Sequence, residues 1–328
     1  MNIRRKIVGA LGAGALVPFT SFAQQPPAKI FRIGLLHTAD EASVVRRGAL
    51  GALRAGLAEL GWVEGKNFTF ELRYGDHQND RLPVLAAELV ALKVDLIITV
   101  APRGVAAVSG ATKTIPIVVH SSTDLVAAGV AASMARPGGN VTGSNFFYEE
   151  VMVKRLEFLK EAMPRITRAA VLLVHAPENP AFMQVMQAAA KALKVELQAF
   201  EIGAVAEVEG AFAAMAKQRM NALVVSDHPL FIFNAKTVAE HAATRRMLSI
   251  GFSSYTAQGG ALDYGVDFFV LWRRVGYFVD KILKGTKPGD IPIEQPTKFD
   301  FVVNQKTVTA LGIKLPGSIL IRATNVIE

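Results

Sequence analysis

The polar residues of this chain with the means to hold a small molecule stand where apolar, strand-length runs stop. They are His37-Thr38-Ala39-Asp40, Tyr74-Gly75-Asp76, Ala101-Pro102, His120-Ser121-Ser122-Thr123-Asp124, His175 through Asn179, Ser226-Asp227-His228 and Phe252 through Tyr255. Ser121, Ser122 and Thr123 offer hydroxyls just before an expected helix. With the N–H groups at Ala101 they could hold a carboxylate through neutral donors and a helix dipole. The same hydroxyls would serve equally as helix caps. An ammonium group requires an acid, and Asp227 and Asp267 are the candidates; Asp267 also opens a helix-like run and would cap it. A flat ligand requires flat partners, for which Phe146, Phe147, Phe231, Tyr255 and Tyr264 are in place. Thr38, Tyr74, Asn145 and Asn179 complete the polar candidates.

Catalytic chemistry finds no foothold. His37, His120, His175 and His228 sit at strand ends, but on separate loops and at spacings that match no metal motif; no metal and no cofactor is expected. GWVEGKN (61–67) is one residue short of a phosphate-binding loop and ends in Asn67, where Ser or Thr is needed. The GxGxxG-like glycines lie in the first residues of the chain, and no G-x-S-x-G occurs. The sequence holds no cysteine, so thiol nucleophiles, thiolate ligands and disulfides are excluded.

The elements that must position these residues alternate. FRIGLLH (31–37), FTFELRY (68–74), DLIITV (95–100) and PIVVH (116–120) read as strands, separated by helix-like segments over 43–60, RLPVLAAELVALK and GVAAVSGAT. After Gly143 the pattern restarts. A helix over 148–163 leads to AAVLLVH (169–175), a helix at 181–193, VELQAFEI, a helix at 205–218, ALVVSD, a helix near 233–245, MLSIGF and ALDYGV. Such alternation predicts parallel sheets covered by helices. The fold class expected is α/β, as two doubly wound parallel-sheet lobes joined by a three-segment hinge. DFFVLWRRVGYFVDKILK places Phe268, Leu271, Trp272, Val275, Phe278 or Val279 and Ile282 on one helix face. That face is expected to return to the first lobe, after which the stretch with Pro288, Pro292 and Pro296 leads FDFVV back to the second. The boundaries expected are 1–23 for a cleaved leader, 28–145 plus 266–297 for lobe 1, and 146–265 plus 298–328 for lobe 2.

The leader rests on MNIRRKIVGALGAGALVPFTSFA, with its basic start, short apolar stretch and Ser21-Phe22-Ala23, the order of a secretory signal peptide. Cleavage after Ala23 would remove Arg4, Arg5 and Lys6 and lower the formal charge from +8 to +5. No dense Lys/Arg block appears, which disfavours nucleic acid as a partner. A periplasmic, soluble monomer is expected.

Three phrases carry a resemblance: TDLVAAGVAASMARPGGNVTG (123–143), GGALDYGVDFFVLWRRVGYFVDKILKGTKPGDIPIEQPTKFDFVVN (259–304) and ALGIKLPGSIL (310–320). In these the chain resembles the ABC-transporter solute-binding proteins, in the family that includes tryptophan and tyrosine binders, with a type I periplasmic-binding-protein fold. The resemblance implies capture of a small carboxylate, an aromatic amino acid above all, by hinged closure, and delivery to an ABC permease and its ATPase. A periplasmic sensor of aromatic acids or other small carboxylates would use the same fold. It implies acids at Asp227 and Asp267 and a polar contact at Asn179. The strand-end histidines depart from the family's phrases.

Overall fold

The computed structural model describes residues 29–46, 48–121, 124–146 and 148–328; the expected leader lies outside them. The first sheet contains β1 (Phe31–His37), β2 (Phe68–Tyr74), β3 (Leu96–Val100), β4 (Ile117–Ser121) and β5 (Val141–Asn145). Its order is β2-β1-β3-β4-β5 and every pairing is parallel. The second contains β6 (Arg168–Val174), β7 (Glu196–Ile202), β8 (Ala222–Val225), β9 (Leu248–Gly251), β10 (Leu262–Gly265), β11 (Asp300–Asn304) and β12 (Asn325–Ile327). Its order is β12-β11-β10-β9-β8-β6-β7. The five strands β7-β6-β8-β9-β10 repeat the arrangement of the first sheet, and β11 pairs antiparallel to β10.

Both sheets are covered on two faces, which is why their central strands are continuous apolar runs. Ile33, Leu35, Leu96, Ile98 and Val118 pack beneath the helices Ala49–Glu59 and Phe268–Leu283. Leu36, Ile97, Ile117 and Val119 pack beneath Leu82–Ala91 and Ala101–Ala111. In the second lobe Val171, Val224 and Ile250 face Tyr148–Ala162 and Asn179–Ala192, while Leu172, Leu223 and Val225 face Val208–Lys217 and Ala235–Thr244.

The single helix expected over 43–60 is two, Glu41–Arg46 and Ala49–Glu59. The break falls at Gly48, whose φ of +67° is left-handed and whose missing side chain leaves room for the Phe269 ring; glycine meets both needs at little cost. Asp40 opens the first of the two helices. It accepts hydrogen bonds from Ser43 N–H and Oγ–H, and these bonds, aided by His77, hold its carboxyl down at about 2.

The chain passes between the sheets at three places. It leaves β5 for the helix Tyr148–Ala162, leaves β10 for the helix Phe268–Leu283, and returns to β11 after running beside β5, where Glu294 N–H donates to Gly143 O and Asn145 N–H to Glu294 O. The helix Phe268–Leu283 is fixed to lobe 1 by direct backbone contact. A Cβ on Gly56 would collide with the Arg273 carbonyl, and one on Gly276 would lie 2.9 Å from the Gly56 carbonyl carbon. Trp62 Nε1–H donates to Asp280 Oδ1 at 2.9 Å beside that contact, and Lys284 reaches the same carboxylate at 2.6 Å.

Lobe 2 holds a polar knot within its core. Asp263 on β10 is fully buried, and its Oδ2 accepts from Thr256 N–H at 3.1 Å and Thr256 Oγ1–H at 2.5 Å. Asn304 Nδ2–H donates to Thr256 O, and Tyr255 O–H to Ser249 Oγ. Burial outweighs the Thr256 bonds and pushes Asp263 up to about 6.

Gly276→Ala should destabilise the protein by about 1–3 kcal/mol through overpacking. Gly51→Ala, in the same pair of helices but with nothing within 4 Å of its Cβ, should stabilise by about 1 kcal/mol. Urea unfolding checks both, and equal effects would rule out the backbone contact. For Asp263, the native state binds more protons than the unfolded chain between the ordinary carboxylate value near 4 and about 6. Its contribution to stability is therefore present below that window and lost as pH rises through it. Asp263→Asn should remove a loss on the order of 3 kcal/mol between pH 4 and 7; melting curves that keep the wild-type pH slope would contradict this.

Candidate ligand site

In sheets of this order the crevice opens at the carboxyl ends of the strands, where β1 and β3 lead to opposite sides, and likewise β6 and β8. These ends of the two sheets face each other. Arg103 of the helix Ala101–Ala111 reaches Glu178, at the start of the next lobe's helix, with 2.6 Å between Nη2 and Oε1. Arg46 lies over the Phe233 ring at 4.4 Å, and the rings of His77 and His228 are 6.5 Å apart.

The lobe 2 side of this cleft is built on Arg155. The residue sits in the helix Tyr148–Ala162 with a side chain 0% exposed. Its Nε–H donates to Tyr264 O at 2.8 Å, its Nη1–H to Val225 O at 3.1 Å, and its Nη2–H to Asp227 Oδ1 at 2.7 Å. Asp227 follows β8 and keeps 12% of its side chain exposed. Tyr148 opens the same helix. Burial pushes its phenol well above the ordinary range, and the Asp227 charge pushes the same way.

On the lobe 1 side, Ala101 opens the helix Ala101–Ala111 in the left-handed region, at φ 60°, and no side chain caps that helix from position 100. Such a conformation costs an alanine about 1–2 kcal/mol, and strain of this kind gathers at binding sites. Next to it, His120 lies 5.8 Å from the Phe146 ring and 5.6 Å from Trp272, and Phe146 meets Phe268 edge-on at 5.9 Å. Asn145, the last residue of β5, is fully buried, yet among the described residues neither end of its amide has a hydrogen-bond partner.

The sequence candidates fall into distinct groups. Thr38, Ala101, Ser121, Asn145 and Phe146 stand at the strand ends of lobe 1, and Asp227 stands just past the end of β8 in lobe 2. Thr38 O accepts from His77 N–H, and Ser121 O from Phe146 N–H. Ser122, Thr123 and Phe147 lie outside the described residues. The helix expected after Thr123 is a turn closed by Asp124 Oδ1, which accepts from Val126 and Ala127 N–H, so the dipole available to lobe 1 comes from the helix at Ala101. Tyr74 ends β2 on the face with Phe70 and Leu72, and burial raises its phenol.

Four candidates are already committed to structure. Asp267 caps the helix Phe268–Leu283, accepting from Phe269 and Val270 N–H. Asn179 is buried and donates to Val174 O at 2.9 Å, which ties down its own loop. Tyr255 is 0% exposed in the lobe 2 core, wedged where Gly251 and Gly260 leave no room for a Cβ. Phe231 is buried in the same core. Tyr264 stacks on Phe299 at 5.6 Å and borders a cavity of about 280 Å³ at the hinge, shared with Asn145, Phe146, Lys154 and Pro296.

Sequence reasoning missed Arg155 and Tyr148. The one available signal was an arginine on the stripe of Met152, Leu156 and Leu159, where helical period demands an apolar residue. Among the described residues, no group of three or more His, Cys, Asp or Glu side chains could hold a metal ion, and no helix is long and apolar enough to cross a membrane.

Comparison with known proteins agrees with this architecture. The family model for ABC transporter substrate binding protein matches residues 44–327. A tyrosine-binding protein of Clostridioides difficile is 25% identical over 286 residues, covering 86% of this chain and 81% of that protein. Among solved structures, a conserved domain protein of Vibrio cholerae superposes with a TM-score of 0.78 at 23% identity, over 91% of this chain and 100% of the other. An ABC domain from Streptococcus pneumoniae in complex with L-Trp gives 0.77 at 22% identity, over the same shares. The fold is that of the two-lobed, type I periplasmic binding proteins. With nearly the whole described chain matched, this protein belongs to the ABC transporter substrate-binding protein family, whose members bind solutes and are not enzymes.

Proposed function

We propose that this protein is the extracytoplasmic receptor of an ABC importer and that it closes on an amino acid with an aromatic side chain. The observation that carries this reading is a pair of unlike polar features, one at the strand ends of each lobe. Asp227, whose carboxylate gives one oxygen to Arg155, stands on lobe 2, and the left-handed helix start at Ala101 stands on lobe 1. A zwitterion presents an ammonium and a carboxylate, and that pair of features is its complement. The unpartnered Asn145 amide supplies further donors and an acceptor, and Phe146 supplies an aromatic face. The tyrosine-binding relative and the L-Trp complex point to the same ligand class.

The basic and apolar N-terminal residues accord with export to the periplasm, with the mature protein beginning after Ala23. Closure on ligand would present both lobes together to a permease, which its ATPase would then drive. The protein would work as a monomer, without nucleic acid, metal or cofactor. Lobe 1 in this reading takes 28–145 and 266–297, and lobe 2 takes the rest from 146.

Calorimetric titration with L-tyrosine, L-tryptophan, branched-chain amino acids and aromatic acids tests the reading. Aromatic amino acids should bind with dissociation constants around micromolar, about 8 kcal/mol. Asp227→Asn, which keeps an acceptor for Arg155 but removes the charge, should weaken them roughly 10- to 100-fold. Aromatic acids lacking an ammonium that bind as tightly as the amino acids would overturn it.

A further inference from the structure

The helix Tyr148–Ala162 carries an arginine where its neighbours Met152, Leu156 and Leu159 are core residues. Stripping water from a guanidinium is costly unless its donors are satisfied. The acceptors that satisfy it lie at the ends of β8 and β10, which are separated in the sheet by β9. Arg155 therefore bridges under the end of β9 and reaches Asp227 from behind. Space for the bridge is reserved: a Cβ on Gly265 would come within 3.3 Å of Arg155 Nη2.

Asp227 is held by one oxygen only. Oδ1 accepts from Arg155, and among the described residues no hydrogen bond reaches Oδ2. A carboxylate has about four lone-pair sites across its two oxygens, so its capacity toward the cleft is intact while its orientation is fixed. The planar fork of an arginine can meet two carbonyls and a carboxylate at once, whereas a lysine offers a point charge on a flexible stem.

We propose that Arg155 is the positioning residue of the ligand site, fixing Asp227 by Oδ1 so that Oδ2 faces the cleft and thereby setting the preference for ligands that carry an ammonium group. The inference rests on the amino-acid reading above and adds the residue that enforces it. Arg155 touches no ligand; it acts through Asp227.

The test is a double-mutant cycle of wild type, Arg155→Lys, Asp227→Asn and the double variant, each shown to be folded by its melting curve. Each is titrated with L-tyrosine and with its deaminated counterpart, 3-(4-hydroxyphenyl)propionate. Wild type should prefer tyrosine. Arg155→Lys should lose roughly 10- to 100-fold in tyrosine affinity while its affinity for the deaminated acid changes by less than about twofold. In the Asp227→Asn background, Arg155→Lys should cost no further discrimination. Equal weakening of both ligands would make Arg155 a mere scaffold residue and overturn the inference, as would additive losses in the double variant. A wild type without preference for tyrosine would instead overturn the amino-acid reading, and this inference with it.

Discussion

The backbone contact between Gly56 and Gly276 is the constraint on which the two-lobed arrangement depends. The helix Phe268–Leu283 follows directly on the last parallel strand of lobe 2, yet its apolar face, with Trp272, Val275, Phe278 and Val279, belongs to the lobe 1 core. Only where both partners lack side chains do two helix backbones approach so closely. The approach brings Trp62 within reach of Asp280 and sets Phe268 against Phe146 and His120. The hinge segments are thus positioned by the packing of the helix Phe268–Leu283 on lobe 1.

Contacts across the cleft are of another kind. Arg103 and Glu178 are 49% and 62% exposed, and a pair that open to solvent contributes at most about 1 kcal/mol. The Arg46–Phe233 contact is of similar modest strength at an exposed site. Nothing in these contacts would hold the lobes shut against much opposition. A ligand that bridges the lobes can therefore decide the balance, since its differential affinity for the closed form is what shifts the populations. The buried Arg155 network lies wholly within lobe 2 and makes no contact across the cleft among the described residues.

The architecture was largely legible in the chain. The apolar runs 31–37, 95–100, 169–175 and 222–227 announced buried strands, and the stripe from Phe268 to Ile282 announced a helix facing a core. What escaped had no local signature. VTGSN (141–145) has little apolar character and becomes β5 because β4 and Glu294 hold it on both sides. β12 is three residues long and exists through its register with β11. The site was less legible than the fold. Strand-end position drew attention to Ala101, Asn145 and Asp227, but position alone does not separate such residues from Asn179, which turns back on its own loop, or Tyr255, which turns into the core. Arg155 is distant in sequence from every residue it serves, so only the folded chain brings its role into view.

The interleaving of the two lobes has a consequence for how the chain acquires its structure. Lobe 1 lacks the helix Phe268–Leu283 until most of lobe 2 has been made, and lobe 2 lacks β11 until after that helix. Neither core can close on its own stretch of contiguous polypeptide. Contacts so distant in sequence must be assembled at a large loop-closure cost, which slows folding. Until nearly its last residues are available, a chain of this order cannot complete either core.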